Sequence, residues 1–348
     1  MAESDPFDAV IVGAGLTGAF VASRLANEGL RVAVFEATGR LGGSLNRQPV
    51  LALLGTPEPL TQLKLRLGEE QAQTLWQLTA ENMQRLEALL DQSGVPYKKQ
   101  GSLRLAKDAE QSEAFRESAR ELAEYGYTVE LEDDNRYGEL AAIRTVDDFL
   151  FDPGELIVNL LDHDNIEVEF NAEVHKIRHR ADGSLAVWAH QHYIWTSKVI
   201  LANGIHAARM DKQLSAALQA TCVHTIVFEG VKNLFHSLIL DSGRIAFLPW
   251  GEKAYLIGWD EHEADIIWRL QSIADQLCPD ALVQDRFTTW IAGSMDNLPV
   301  VGRMPSEHEV YAISGLGPFG INLAMTVVDE LSQLVLQDRV PARFALSR

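Results

Sequence analysis

Cysteine is nearly absent from this 348-residue chain: Cys222 and Cys278 are the two present, far apart and in no CxxC spacing. That excludes a disulfide-framed scaffold and reads both thiols as ordinary core residues of a protein expected in a reducing, cytoplasmic setting. Positive charge is scarce too, with 30 Lys and Arg against 49 Asp and Glu and a formal net charge of -19. No Lys/Arg block concentrates positive potential, so nucleic acid is not an expected partner. The uncharged stretch Ala9 to Ser23 falls short of the roughly 20 residues a membrane helix needs and carries glycines at 13, 15 and 18, so no membrane span is expected. The acidic start, Met1 to Asp8, lacks the basic flank of a secretory leader, and no export signal is expected. Repeats and low-complexity linkers are missing as well, which predicts a discontinuous layout rather than domains strung in series.

What is present is a globular composition, 47% hydrophobic and 23% charged, in a chain long enough for two intimately joined domains. Phe7 to Val12 is a Val/Ile-rich run suited to a parallel strand buried on both faces. Gly13-Ala14-Gly15-Leu16-Thr17-Gly18 follows, then apolar residues at helical spacing up to Gly29 as a C-terminal cap. Arg31 to Phe35 reads as a second strand ending on Glu36. This order is the dinucleotide-binding fingerprint. Gly13 permits the tight turn, Gly15 lets backbone approach a pyrophosphate, and Gly18 lets helix lie close on strand. The anion rests on the helix N-terminus, and the Glu36 carboxylate is placed for the ribose hydroxyls, where it would repel a 2′-phosphate.

A second glycine-rich turn, Arg40-Leu41-Gly42-Gly43-Ser44, follows Glu36. Three later segments matter: Val174 on a hairpin leading to Val199–Gly204 with its Ala202-Asn203-Gly204 turn, Trp290 to Gly302, and Val310 to Met325. In the last, a strand, the turn Gly315-Leu316-Gly317-Pro318-Phe319-Gly320 and a helix from Ile321 to Leu336 succeed one another. With these motifs in this order the chain resembles the D-amino-acid oxidase superfamily of FAD-dependent enzymes, in its glycine oxidase, sarcosine oxidase and γ-glutamylputrescine oxidase branch.

The resemblance implies an α/β fold: a Rossmann-type FAD-binding domain (1–92, 150–214 and 295–348) with a second, mainly antiparallel β substrate domain (93–149 and 215–294). It implies non-covalent FAD held by Gly13, Gly15, Leu16, Thr17, Gly18, Glu36, Arg40, Gly42, Gly43, Ser44, Val174, Ala202, Asn203, Gly204, Gly315, Gly317, Pro318, Phe319, Gly320 and Ile321. It also implies oxidation of a C–N bond of a small amine or amino acid by hydride transfer to flavin, imine hydrolysis, and reoxidation by dioxygen or another acceptor. The turn before the last helix would offer backbone donors to charge developing on reduced flavin.

Gly101 to Leu105 and Ile245 to Trp259 read as strands of a sheet roofing the flavin, with Trp250, Tyr255, Trp290 and Phe319 as aromatic pocket candidates. Arg47 carries two readings, a positive charge near the flavin or an exposed loop arginine. Relatives that oxidise α-amino acids usually carry a carboxylate-clamping arginine where this chain has Ile291, and often a histidine where it has Pro318. These departures keep a second reading open, a catalytically degenerate FAD-binding protein or partner subunit. His175, His179, His190 and His192 fall on the hairpin, with His190 and His192 on one face by strand period, but no metal site is assigned. The run Glu130 to Asp134 reads as a solvated loop.

Overall fold

The computed structural model describes residues 7–45, 47–133, 140–190, 192–231, 236–259, 263–305, 307–341 and 343–346. Met1 to Pro6, Asn46 and Asp134, which the sequence readings include, lie outside them. An eight-stranded sheet is built around Phe7–Val12, which pairs in parallel with Val32–Phe35 on one side and His192–Leu201 on the other. Ile166–Glu169 and Val310–Ser314 extend the parallel set, and Val300–Arg303 closes it antiparallel.

Successive side chains of a strand point to opposite faces, and here both faces are buried. Ala9, Ile11, Val32 and Val34 share a core with helices Leu16–Asn27, Glu69–Ser93, Pro153–Leu161 and Ala324–Gln337. Val10, Val12, Ala33 and Phe35 pack on the other side against Val174, Leu185, Val187 and Ala189 of an antiparallel meander. Two-sided burial is why these strands lack polar alternation. The strand His192–Leu201 serves both layers: its first half pairs with Leu185–Ala189, and its second half enters the parallel sheet.

A second eight-stranded sheet has the order Leu282–Ser294, Leu218–Glu229, Lys253–Gly258, Ile245–Trp250, Ser237–Leu240, Ser102–Leu105, Ala142–Thr145, Glu130–Glu132. It is antiparallel except where Ser237–Leu240 runs beside Ser102–Leu105. Ile245, Phe247 and Leu256 belong to a core closed by Ile266, Leu270 and Ala274 of helix Glu263–Leu277. A Cβ at Gly258 would press on Ile266 and Leu270, so glycine there lets the helix seat closely. The opposite face, with Ala246, Leu248 and Ile257, packs with Leu51 and Leu150 of a third, small sheet.

Between the sheets lies a small antiparallel one in which Phe149–Phe151 pairs with Val50–Ala52 and Tyr97–Lys99. The chain leaving it at Leu53 is held by side chains from distant segments: Leu53 N donates to Asn322 Oδ1 at 2.9 Å, Leu54 N to Asp148 Oδ1 at 2.8 Å and Gly55 N to Thr79 Oγ1 at 2.8 Å. Arg104, 2% exposed, donates to the carbonyls of Leu54 and, at 3.0 Å, Thr56, and to Thr145 Oγ1 at 3.0 Å. Burial raises the Asp148 carboxyl above its ordinary range, opposed by the Arg104 charge and by hydrogen bonds from Ser102 and Thr145.

Several elements differ from the sequence reading. The last helix starts at Ala324, one 3-10 turn (Gly320–Leu323) later than Ile321. His190 adopts φ 50 just past the end of strand Leu185–Ala189, and His192 opens strand His192–Leu201, so the two share no strand face. His179 pairs with Glu307, and His192 with Glu169 at 3.0 Å. Glu130–Glu132 is an edge strand, and Glu130 pairs with Arg144 at 2.7 Å. Its acids suit an unpaired sheet edge, where charge discourages further pairing. Cys278 is buried, whereas Cys222 is half-buried with its Sγ 3.6 Å from His224 Nε2. Among the described residues no helix is long and apolar enough to cross a membrane.

Candidate functional site

One cavity of about 670 Å³ runs from Glu36 to the second sheet, and both glycine turns border it. At its first end Gly15 is the N-cap of helix Leu16–Asn27 and makes no side-chain capping bond. The first-turn N–H groups, which have no intrahelical acceptor, therefore open on the cavity with the positive end of the helix dipole. A Cβ at Gly15 would meet no protein atom within 4 Å, whereas one at Gly13 would lie 2.9 Å from Ala202 O and one at Gly18 would collide with Gly13 O. Gly13 and Gly18 are thus packing glycines, and Gly18 does not border the cavity.

Glu36, 7% exposed, accepts from Ala14 N at 3.0 Å and from Thr38 N and Oγ1 at 2.9 and 2.8 Å. Its carboxylate is held at the cavity wall by three donors. Ala172 N donates to Glu36 O at 2.8 Å, which brings Glu173 and Val174 to the same end. The second glycine turn is latched on the first, Gly42 N donating to Ala14 O at 3.1 Å, and a Cβ at Gly43 would lie 3.6 Å from Gly15 Cα. Arg40, Gly42, Gly43, Ser44, Ala202, Asn203 and Gly204 complete this part of the wall.

The far end is bounded by Gly315 to Ile321 and the second sheet. Asn82, fully buried, donates to Ile321 O and accepts from Met325 N, both at 2.9 Å. That second bond satisfies an N-terminal donor of helix Ala324–Gln337, while in the turn ahead of it Gly317 N donates to Ala292 O at 2.8 Å and Gly320 N to Gly317 O at 3.3 Å. Phe319 packs on Trp259 with ring centroids 5.9 Å apart, and Gly243 leaves room for Phe319 and Pro57.

Among the aromatic candidates, Phe319 and Trp290 border the cavity, but Trp290 is 57% exposed. Its strand alternates: Phe287, Thr289 and Ile291 are the more buried, and Thr288 and Trp290 point outward. Trp250 and Tyr255 join the apolar cluster of Leu248, Ile257, Trp259 and Ile291 without bordering the cavity. Burial raises the Tyr255 phenol above its ordinary range, and the Asp152 charge adds to that. Arg47 also lies off the cavity: it pairs with Asp285 at 2.6 Å and stacks 4.1 Å from the Phe287 ring centroid. Asp296 accepts from Ser294 Oγ at 3.0 Å and Leu298 N at 3.1 Å, shaping a turn that does not line the cavity. Sequence reasoning missed Gln48, Trp259 and Asn82. Trp259 closed the stretch read as strands without being singled out, but nothing local marked Asn82. Among the described residues no group of three or more His, Cys, Asp or Glu gathers as metal ligands would.

The family model for FAD-dependent oxidoreductases of the D-amino-acid oxidase (DAO) type matches residues 8–334. The chain belongs to that family. Its cofactor is accordingly FAD, and the cavity fits such a group: orphan helix donors and a buried carboxylate border one end, and aromatic and aliphatic side chains stand at the other. As a member of this family the chain is an FAD-dependent oxidoreductase.

A comparison with curated proteins returned no match. Among solved structures the chain is similar to glycine oxidase from Geobacillus kaustophilus, at 20% identity and a TM-score of 0.77 over 98% of this chain and 97% of that one. L-proline dehydrogenase from P. horikoshii matches at 16% identity and 0.78 over 99% and 96%. L-alpha-glycerophosphate oxidase from Mycoplasma pneumoniae, with FAD bound, matches at 17% identity and 0.76 over 98% and 97%. The first two act on amino acids and the third on a glycerophosphate, so the shared fold leaves the family member's substrate to its own pocket.

Proposed function

We propose that this protein oxidises a C–N bond of a small amine or amino acid at the sheet-bounded end of the cavity. The observation that carries the reading is the single cavity joining the Gly15 turn, the Gly320 turn and the apolar face of the second sheet. Bound FAD supplies a two-electron acceptor for hydride removal from the carbon beside nitrogen, with dioxygen or another acceptor regenerating it and water hydrolysing the imine.

The chain's residues bind and orient. Donors of the first helical turn and the two glycine turns take the pyrophosphate, and Glu36 takes the ribose hydroxyls. Backbone of Gly317 to Ile321 faces the charge that develops on reduction, and Leu248, Ile257, Trp259, Ile291 and Phe319 exclude water from the reacting end. A desolvating wall favours the uncharged amine, which is the form that can give up hydride. The division into a cofactor domain (1–92, 150–214, 295–348) and a substrate domain (93–149, 215–294) is supported by sheet membership, with Tyr97–Lys99 crossing to the small sheet. The near absence of cysteine supports a reducing compartment.

The test is anaerobic titration of the purified yellow protein with a panel of amines and amino acids, read as bleaching of flavin absorbance. Bleaching by any of them supports the reading. A flavin that none reduces would transfer the protein to the degenerate or partner-subunit class. Acid precipitation should release all the flavin, since neither Cys222 nor Cys278 borders the cavity.

A further inference from the structure

The second sheet contributes no ionisable side chain to the cavity wall among the described residues: its lining is Val223, Ala246, Leu248, Ile257, Ile291 and Ala292, with Trp259 and residues Thr288 to Trp290 at the margin. The ionisable residues that do border the cavity, Glu36, Arg40, Glu173, His206 and Arg209, come from the loops of the parallel sheet and its meander. An ionised carboxylate pressed against the second sheet would lose its hydration and find no counter-charge there. An ammonium group would meet the same obstacle and enter as the free base, its proton left in solvent.

One polar side chain stands out at this end. Gln48, on the loop after the second glycine turn, borders the cavity. The hydroxyl of Thr225, 1% exposed, donates to Gln48 Oε1 at 2.9 Å. The carboxamide oxygen is therefore engaged from behind, and Nε2 makes no hydrogen bond to the described protein, which leaves an uncharged donor. A neutral donor recognises a carbonyl or ether oxygen well but does not compensate a full negative charge as a guanidinium does.

Resting on the C–N oxidation proposed above, we infer that the substrate is an apolar amine with no carboxylate on its reacting carbon, and that Gln48 Nε2 is a specificity-determining donor to a neutral oxygen on it. The FAD-loaded full chain is titrated with three matched probes: 2-phenylethylamine, phenylalanine and phenylalaninamide. Binding is read from quenching of tryptophan fluorescence, Trp259 and Trp290 bordering the cavity, and reduction is read separately from flavin bleaching.

The amine and the amide should bind at least roughly 100-fold tighter than the amino acid, a free base tolerated where a desolvated carboxylate is not. Q48L should weaken the amide roughly fivefold to tenfold, as one neutral hydrogen bond would, leave the plain amine unmoved, and retain its flavin. If Q48L fails to hold flavin, T225V, which frees Gln48 to turn, should show the same selective loss. Equal or tighter binding of phenylalanine, no binding of any probe, or a Q48L effect equal for amide and amine would overturn the inference. Binding in this order without bleaching would uphold the selectivity and defeat the proposed oxidation instead.

Discussion

Asn82 donates its side-chain amide to the carbonyl of Ile321 at 2.9 Å across 239 residues of chain, and takes Met325 N on its oxygen. One buried carboxamide thus fixes the bend between the 3-10 turn and the last helix, the bend that sets where Gly317 to Ile321 face the cavity.

N82A should therefore leave a carbonyl and an amide without partners in a dry interior, lowering stability by about 2–4 kcal/mol. N82D keeps the acceptor for Met325 N but sets a carboxylate against the Ile321 carbonyl in a dry interior, so its loss should match or exceed that of N82A at neutral pH and shrink as pH falls and the carboxyl gains a proton it can donate. Urea midpoints at constant slope measure the first effect, and FAD dissociation constants show whether the turn has moved.

Gly15 and Gly18 should separate ligand from packing. G18A forces a methyl into Gly13 O and should lower stability by about 1–3 kcal/mol, with cofactor loss following from the shifted helix. G15A meets no protein atom and should stay within about 1 kcal/mol of the parent. Its methyl projects toward the space proposed for pyrophosphate, so FAD affinity should fall by roughly tenfold or more. Apoprotein melting beside FAD titration distinguishes the two variants. Equal FAD affinity in G15A would contradict the assigned role.

R104M should remove donors from Leu54 O, Thr56 O and Thr145 while leaving Asp148 buried, and should cost about 3–5 kcal/mol. D148N retains an acceptor for Leu54 N and relieves the burial penalty on a carboxylate, so the double variant R104M/D148N should recover part of that loss. A double-mutant cycle from denaturant curves checks the coupling.

Burial pushes the Cys278 thiol up to about 11. The unfolded thiol ionises more easily, so the folded state holds its proton more tightly. The corresponding stabilisation is present at neutral pH and fades as pH rises from the ordinary thiol range toward 11. Native protein at pH 8 should incorporate one equivalent of alkylating reagent, at Cys222, and a second only on denaturation. Mass spectrometry of the labelled protein decides it.

The parallel sheet and its first turn were legible because each glycine's task is set by its immediate neighbours: a tight turn, an open backbone, a close helix. The antiparallel sheet was legible in parts, Ile245–Trp250 and Lys253–Gly258 announcing themselves as short apolar runs on either side of Gly251. What stayed hidden depends on distance along the chain. Asn82 sits among ordinary helix residues, and Arg104 alternates in its strand as a surface arginine would; both are buried because remote backbone needs them. Trp250 and Tyr255 share the strand face of Leu248 and Ile257 but stand beyond the part of it that borders the cavity, and the Asp285 pair holds Arg47 away from it. The turn at His190 was invisible since His tolerates φ above zero without a glycine to mark it.

The stretch from Leu53 to Thr56 is answered at once by a long helix through Thr79, by the last glycine turn through Asn322, by the small sheet's approach through Asp148 and by the large antiparallel sheet through Arg104. Melting any one of those layers strands buried main-chain groups that the others cannot satisfy. The molecule is thereby bound to come apart in a single cooperative step, and a piece cut away at either sheet would find itself short of the partners that let it hold its shape.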